Sequence, residues 1–280
     1  MKNRFKPRFN INWKKIARIG LWSLLAFGFI VSVGFTSYKQ RMMECKAFDI
    51  SINDSTSYSF VEYSDIAQII NDKFGGLVGK PMDEINIALL EKIINNNPFV
   101  LNAEVFSTLD GIVKIEVAQR KPILRVFNYN NESFYIDNTG KYMPTSPKYT
   151  ASVPVANGAI AARESDSLAY AGDVPVNIDQ SDTSFHPTTM QSIYMLAKYI
   201  NKDDFWSAQI EQLYVNESGD IELIPRVGNQ KIIFGDATQM KEKFNKLFIL
   251  YTKGFDKTGW NNYSVINLKF NDQVVCTKIK

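Results

Sequence analysis

The sequence is poorest in the residues on which most chemistry depends. Its 280 residues include one histidine, His186, which stands directly before Pro187 in a polar stretch. A single imidazole can assemble neither a His-centred catalytic triad nor a His-based metal site, and its setting fits a solvated loop. Cysteine is almost as scarce. Cys45 and Cys276 are the only two, too few and too far apart for a disulfide framework, and both are expected to be unpaired. With 45% hydrophobic and 22% charged residues the composition is neither disordered nor collagenous. The length allows about two domains.

Other chemical signatures are missing as well. The run Gly75-Gly76-Leu77-Val78-Gly79-Lys80-Pro81 is one residue short of a phosphate loop, and Pro81 occupies the place where Ser or Thr would bind the metal. Asp203 and Asp204 are neighbours in sequence, and no motif holds them across a cleft for acid–base work. The expectation is therefore a protein that is not an enzyme, with no cofactor, no metal and no small-molecule substrate.

What the chain does have is a charge asymmetry and one long apolar run. Lys2, Arg4, Lys6, Arg8, Lys14, Lys15 and Arg18 fall in the first 18 residues with no acid among them. Taking those seven from the net charge of +3 leaves −4 for the rest, so the main body lacks the basic footprint of a nucleic-acid binder. Ile19 to Tyr38 are 20 consecutive uncharged residues, enough for a helix of roughly 30 Å, the thickness of a bilayer's hydrocarbon core. Trp13, Trp22 and Tyr38 suit the two interfaces, and the basic flank puts the N-terminus in the cytoplasm. A cleaved signal peptide would have a shorter apolar region and a better small-x-small site than Ser32-Val33-Gly34. The expected layout is a basic cytoplasmic tail (1–18), a transmembrane helix (19–38) and a polar linker (39–46), with the remaining body outside the membrane.

From residue 47 to 121 the pattern reads β-α-α-β-β. Phe48–Ile52 alternates as a strand. Ser64 or Asp65 caps a helix with Ile66, Ile69, Ile70 and Phe74 on one face, ended by Gly75-Gly76. A second helix starts near Asp83 behind Pro81, presents Ile85, Leu89 and Ile93, and stops at Pro98. Ala103 and Val105 then point inward from one strand, Leu109-Asp110-Gly111 turns, and Val113, Ile115 and Val117 return.

The segment Asn95–Ile123, with Pro98, Val100, Ala103, Val105, Ile115, Val117 and Pro122, resembles the signature of a POTRA domain in the bacterial cell-division family FtsQ/DivIB. Gln119-Arg120-Lys121 departs from the Glu the family often carries before the second proline. Outer-membrane assembly proteins also carry POTRA domains, but ahead of a long barrel for which this chain has no segment.

Residues 122–280 read as a mostly antiparallel β domain with two helices, so the whole is α+β. Phe134–Ile136 and Lys141–Met143 flank the turn Asp137-Asn138-Thr139-Gly140, which resembles the opening of the β domain in the same family. Thr145–Ser184 reads as long loops. A helix with Met190, Ile193, Ala197 and Ile200 follows, then strands ending at Leu213-Tyr214-Val215, at Ile221–Leu223 and at Lys231–Gly235. Asp236 is expected to cap a last helix with Met240, Phe244, Leu247, Phe248 and Tyr251 inward. Val265–Phe270 and Gln273–Ile279 form a terminal hairpin. Val265–Phe270 resembles a family segment in which Asn267 and Lys269 stand where Asp and Arg are commoner.

With chemistry absent, function should lie on a surface. From the residues alone the terminal strand reads equally as an open docking edge and as an ordinary strand paired on one side. The resemblance implies the first reading, because the last strands of FtsQ/DivIB receive the extracytoplasmic parts of FtsB and FtsL. It nominates Lys269, Phe270, Val274, Val275, Cys276 and Thr277, on a protein of the bacterial inner membrane at the division septum. An assembly or secretion factor whose POTRA domain captures client strands is the alternative reading, and a cell-wall enzyme with an unrecognised site a more distant one.

Overall fold

The computed structural model describes residues 20–31, 43–53, 58–161 and 187–279. Residues 20–31 form a helix, α1, whose side chains are all exposed. Among the described residues no helix is long and apolar enough to cross a membrane. The basic tail, the rest of the expected membrane span, the first half of the linker and His186 lie outside the described residues. Contacts divide the chain into two compact units: Met1–Ser51 with Tyr63–Ile94 and Ala103–Glu116, and Ile52–Glu62 with Asn95–Asn102 and Val117–Lys280.

The first elements are β1 (Ala47–Asn53), α2 (Tyr63–Phe74), α3 (Ile87–Asn95), β2 (Val100–Ser107) and β3 (Ile112–Gln119), with the strands in the order β1-β3-β2. The β-α-α-β-β order is as expected. In the first unit Ile66, Ile70, Leu90, Ile94, Ala103, Val105, Val113 and Ile115 are buried. The α2 helix ends as expected at Gly75, whose φ of +62° is a left-handed cap and whose N–H donates to Asn71 O at 2.8 Å. The α3 helix differs. It begins at Ile87 rather than near Asp83, because the Asn86 side chain accepts the Leu89 N–H at 2.9 Å and caps it there. The face moves with the start, so that Leu90 and Ile94 are buried and Leu89 is 45% exposed. The end of the expected linker is tied down. Cys45 donates its N–H to Lys80 O and accepts the Gly79 N–H, each at 2.8 Å, and its side chain is buried.

The second unit is built on a nine-stranded sheet ordered β12-β11-β10-β9-β8-β7-β4-β5-β6. Its strands are β4 (Pro122–Phe127), β5 (Ser133–Asp137), β6 (Tyr142–Pro144), β7 (Val155–Gly158), β8 (Ile210–Val215), β9 (Ile221–Pro225), β10 (Lys231–Gly235), β11 (Tyr263–Asn267) and β12 (Val275–Lys278). Five neighbouring pairs are antiparallel and three, β4/β7, β7/β8 and β10/β11, are parallel. The helices are α4 (Thr189–Lys202), the short α5 (Asp204–Gln209), α6 (Met240–Ile249), continued by a wide π turn (Leu250–Gly254), and α7 (Phe255–Thr258). The two long helices are those expected, and α5 and α7 are additional.

Two features of this unit depart from expectation. The segment expected to be loop contains β7, a central strand with Ala156 fully buried. Its sequence, Val-Ala-Asn-Gly, has one good strand former, and its place comes from β4 and β8 on either side. Gly158 closes it at φ +101°, where a Cβ would stand 2.1 Å from Val215 O. Gly158→Ala is therefore expected to destabilise the fold by about 2–3 kcal/mol, read as a lower urea midpoint with unchanged slope. The second departure concerns α6. Asp236 does not cap it: its carboxylate accepts the Thr238 N–H at 3.0 Å within the preceding turn, and the helix begins behind Gln239, which has φ +49° and makes no side-chain cap bond. Met240, Phe244, Leu247 and Tyr251 are buried as expected. Phe248 sits at the border of their stripe, 43% exposed, with its ring 5.3 Å from Phe205.

The core joins Leu124, Val126, Ile193, Ala197, Ile200, Trp206, Leu213, Leu223, Phe234, Phe244 and Ile266. The residues that depart from the family signature have definite work here. Gln119, buried, accepts the N–H groups of Phe60 and Val61 at 3.1 and 3.0 Å and donates to Tyr58 O at 3.1 Å. Arg120 pairs with the fully buried Asp137 at 2.7 Å.

Candidate partner-docking edge

A sheet end is a docking surface only if its main-chain groups are free, and the strand edges differ in what occupies them. The edge at β6 is three residues long and contains Pro144, and the Tyr142 ring packs on Phe134 at 5.1 Å. On β2 the Val105 N–H is taken by the Glu91 carboxylate at 3.1 Å. On β1 the outer residues are exposed and include Asp49, Ser51 and Asn53.

At β12 the geometry is different. β11 and β12 are antiparallel, with Asn267 opposite Val275 and Val265 opposite Thr277. Because Leu268 donates its N–H to Ile233 O at 2.9 Å, the alternation along β11 turns Asn267 and Val265 toward β12. Val275 and Thr277 therefore spend their main-chain groups inward, and the Ser264 hydroxyl donates to Thr277 O at 3.3 Å. By the same alternation Val274, Cys276 and Lys278 turn their N–H and C=O groups outward.

Side chains alternate as well. Val274 and Cys276 are half-buried against the core, and Val275 is 41% exposed on the opposite face beside exposed Thr277. Both cysteines are free, and burial pushes the Cys276 thiol above its ordinary pKa. The terminal hairpin is shorter than expected. Its strands end at Asn267 and begin again at Val275, and the wider turn between them carries Lys269 and Phe270. The Asn267 carboxamide accepts the Lys269 N–H at 2.9 Å, and Lys269 Nζ forms an ion pair with Asp220 at 2.7 Å. Asn267 thus shapes the turn, and the pairing acid comes from the β8–β9 turn. The Phe270 ring is 46% exposed. Of the nominated residues, Lys269, Phe270 and Val274 thus lie in the turn and Cys276 turns its main chain to the free edge, while Val275 and Thr277 are paired to β11.

Behind the turn, Lys243 is buried, and its ammonium donates to Asp236 O and Oδ1 at 3.0 and 3.2 Å and lies 5.0 Å from the Phe234 ring centre. Burial pulls its pKa below the ordinary lysine value against the opposing pull of Asp236. Burial also opposes the charge on Asp236, but the hydrogen bonds from Thr238 and Lys243 outweigh it and hold that carboxyl below the usual range. A residue that sequence reasoning missed is Lys246, whose Nζ donates to Phe270 O at 2.7 Å. No spacing motif announces such a contact across 24 residues. Among the described residues no three metal-ligating side chains come together.

Two family models match the chain. A family model described as FtsQ/DivIB, C-terminal related, matches residues 121–277, and one for a POTRA-like domain matches residues 43–118. No curated protein matches the chain.

Proposed function

The chain belongs to the FtsQ/DivIB, C-terminal related family, whose model spans more than half of it, and from that membership we propose that it is a membrane-anchored scaffold of the division machinery that docks FtsB- and FtsL-like proteins by strand addition at β12. FtsQ/DivIB and POTRA domains are non-catalytic scaffold families, so its mechanism is binding. The proposed layout is a cytoplasmic tail (1–18), a membrane helix (19–38), a linker (39–46), a POTRA domain (47–121) and a β domain (122–280), held in the bacterial inner membrane at the septum.

The observation that carries the docking site is the β12 edge, which is open among the described residues. Cys276 and Lys278 offer main-chain donors and acceptors at the end of a nine-stranded sheet, and the strand leaves them to the next chain. Main-chain bonds would supply register. Val275 and Phe270, both more than two-fifths exposed, would supply apolar contact. Strand capture by the POTRA domain, the other reading, is disfavoured on β2 because the Glu91 carboxylate already occupies the Val105 N–H.

Phe270→Asp tests the apolar part of the site. The ring is largely in water in the free protein, so the change should leave folding intact, while a buried charge in the complex would weaken binding by about tenfold or more. Calorimetric titration of the full chain with the extracytoplasmic segments of the FtsB- and FtsL-like proteins checks it. Wild-type affinity in the variant would remove Phe270 from the site.

A further inference from the structure

The turn between β11 and β12 is held from beneath as well as by its own bonds. Lys246, half-buried on α6, directs its ammonium at two carbonyls of that turn, Phe270 O at 2.7 Å and Leu268 O at 3.5 Å. The Lys269 stem lies over Gly235, where a Cβ would meet its Cγ at 3.1 Å, and its Nζ is fixed to Asp220. The Asn271 carbonyl accepts the Gln273 N–H within the turn. The main chain is thus pinned to the helix layer at the residue whose ring is exposed, just before the strand whose edge is open.

Resting on the docking reading above, we propose that Lys246 is a positioning residue for the docking edge: it presets the Phe270 main chain and the start of β12 for an incoming extended peptide. The shorter bond, to Phe270 O, lies at the surface, where water can replace a lost ammonium, and the contact with the carbonyl of buried Leu268 is long at 3.5 Å, so the fold does not depend on this lysine. Binding does, because a turn left loose in the free protein must be ordered when the partner strand arrives, and that ordering is subtracted from affinity. Lysine suits the task because its ammonium carries three donors on a flexible stem and reaches two carbonyls at once. Arginine can bridge the same oxygens, whereas methionine keeps the stem and loses every donor.

The test compares the wild-type full chain with Lys246→Met and Lys246→Arg, using as probe a synthetic peptide covering the extracytoplasmic segment of the FtsB-like protein. Lys246→Met is expected to weaken binding about tenfold and to speed amide exchange in residues 268–278 while β8–β10 and the thermal midpoint stay unchanged. Lys246→Arg should restore both. Wild-type affinity in Lys246→Met, or an equal loss in Lys246→Arg, overturns the positioning role while the docking reading stands. A wild-type chain that does not bind the peptide overturns the docking reading itself, and the positioning role with it.

Discussion

Replacing Cys276 by proline is expected to abolish partner docking, weakening it by about a hundredfold or more, with a change of only a few degrees in thermal midpoint. The argument rests on which way each amide faces. Proline removes a donor and adds a ring, and an edge strand tolerates it where the N–H points to solvent. Cys276 is such a position, since Val275 and Thr277 on either side are the residues whose main-chain groups face β11. The same change therefore spares the sheet and blocks the next strand. Val275→Pro makes the opposite choice: it removes an inward bond to Asn267 and should loosen β12 from its own sheet. Calorimetry with the FtsB-like segment, beside a thermal scan of each variant, separates the two. A Cys276→Pro chain that binds normally would rule out strand addition on this edge.

The largest expected effect on stability lies at the other end of the sheet. The Asp137 carboxylate is fully buried and is met by Arg120 Nη1 at 2.7 Å, by the Thr139 N–H and hydroxyl at 2.9 and 2.7 Å, and by the Lys141 N–H at 2.8 Å. One side chain thus closes the β5–β6 turn and neutralises a guanidinium that is itself only 12% exposed. Asp137→Ala leaves that charge and three donors without their acceptor and should destabilise the chain by about 3–5 kcal/mol. Denaturant unfolding followed by circular dichroism measures this. A loss below about 1 kcal/mol would mean that water reaches Arg120 and replaces the carboxylate.

Asp137 also illustrates how far the sequence could be read. Asp-x-x-Gly announces the turn, since local hydrogen bonds are encoded in neighbouring residues. The Arg120 partner is not announced, because it depends on how β4 returns beside β5. The same holds elsewhere. The periodic stripes of α4 and α6 and the alternation of β3 were legible because burial repeats along the chain. β7 was not, because a four-residue strand of small residues owes its existence to β4 and β8. The start of α3 lies later than Pro81 suggests because the Asn86 side chain bonds the first turn and sets the cap there. At the docking edge the residue types pointed to β12, but the inward and outward amides could be told apart only from the register with β11. Lys246 had no signal at all, since its role is a hydrogen bond to main chain 24 residues away.

The most direct test of the account is residue-resolved amide exchange of the full chain, free and saturated with the FtsB-like extracytoplasmic segment. Strand addition at β12 predicts new protection at the N–H groups of Cys276 and Lys278, which face outward, with little change at Val275 and Thr277, which are already paired. Protection that appears instead along β2, or nowhere on β12, would contradict it.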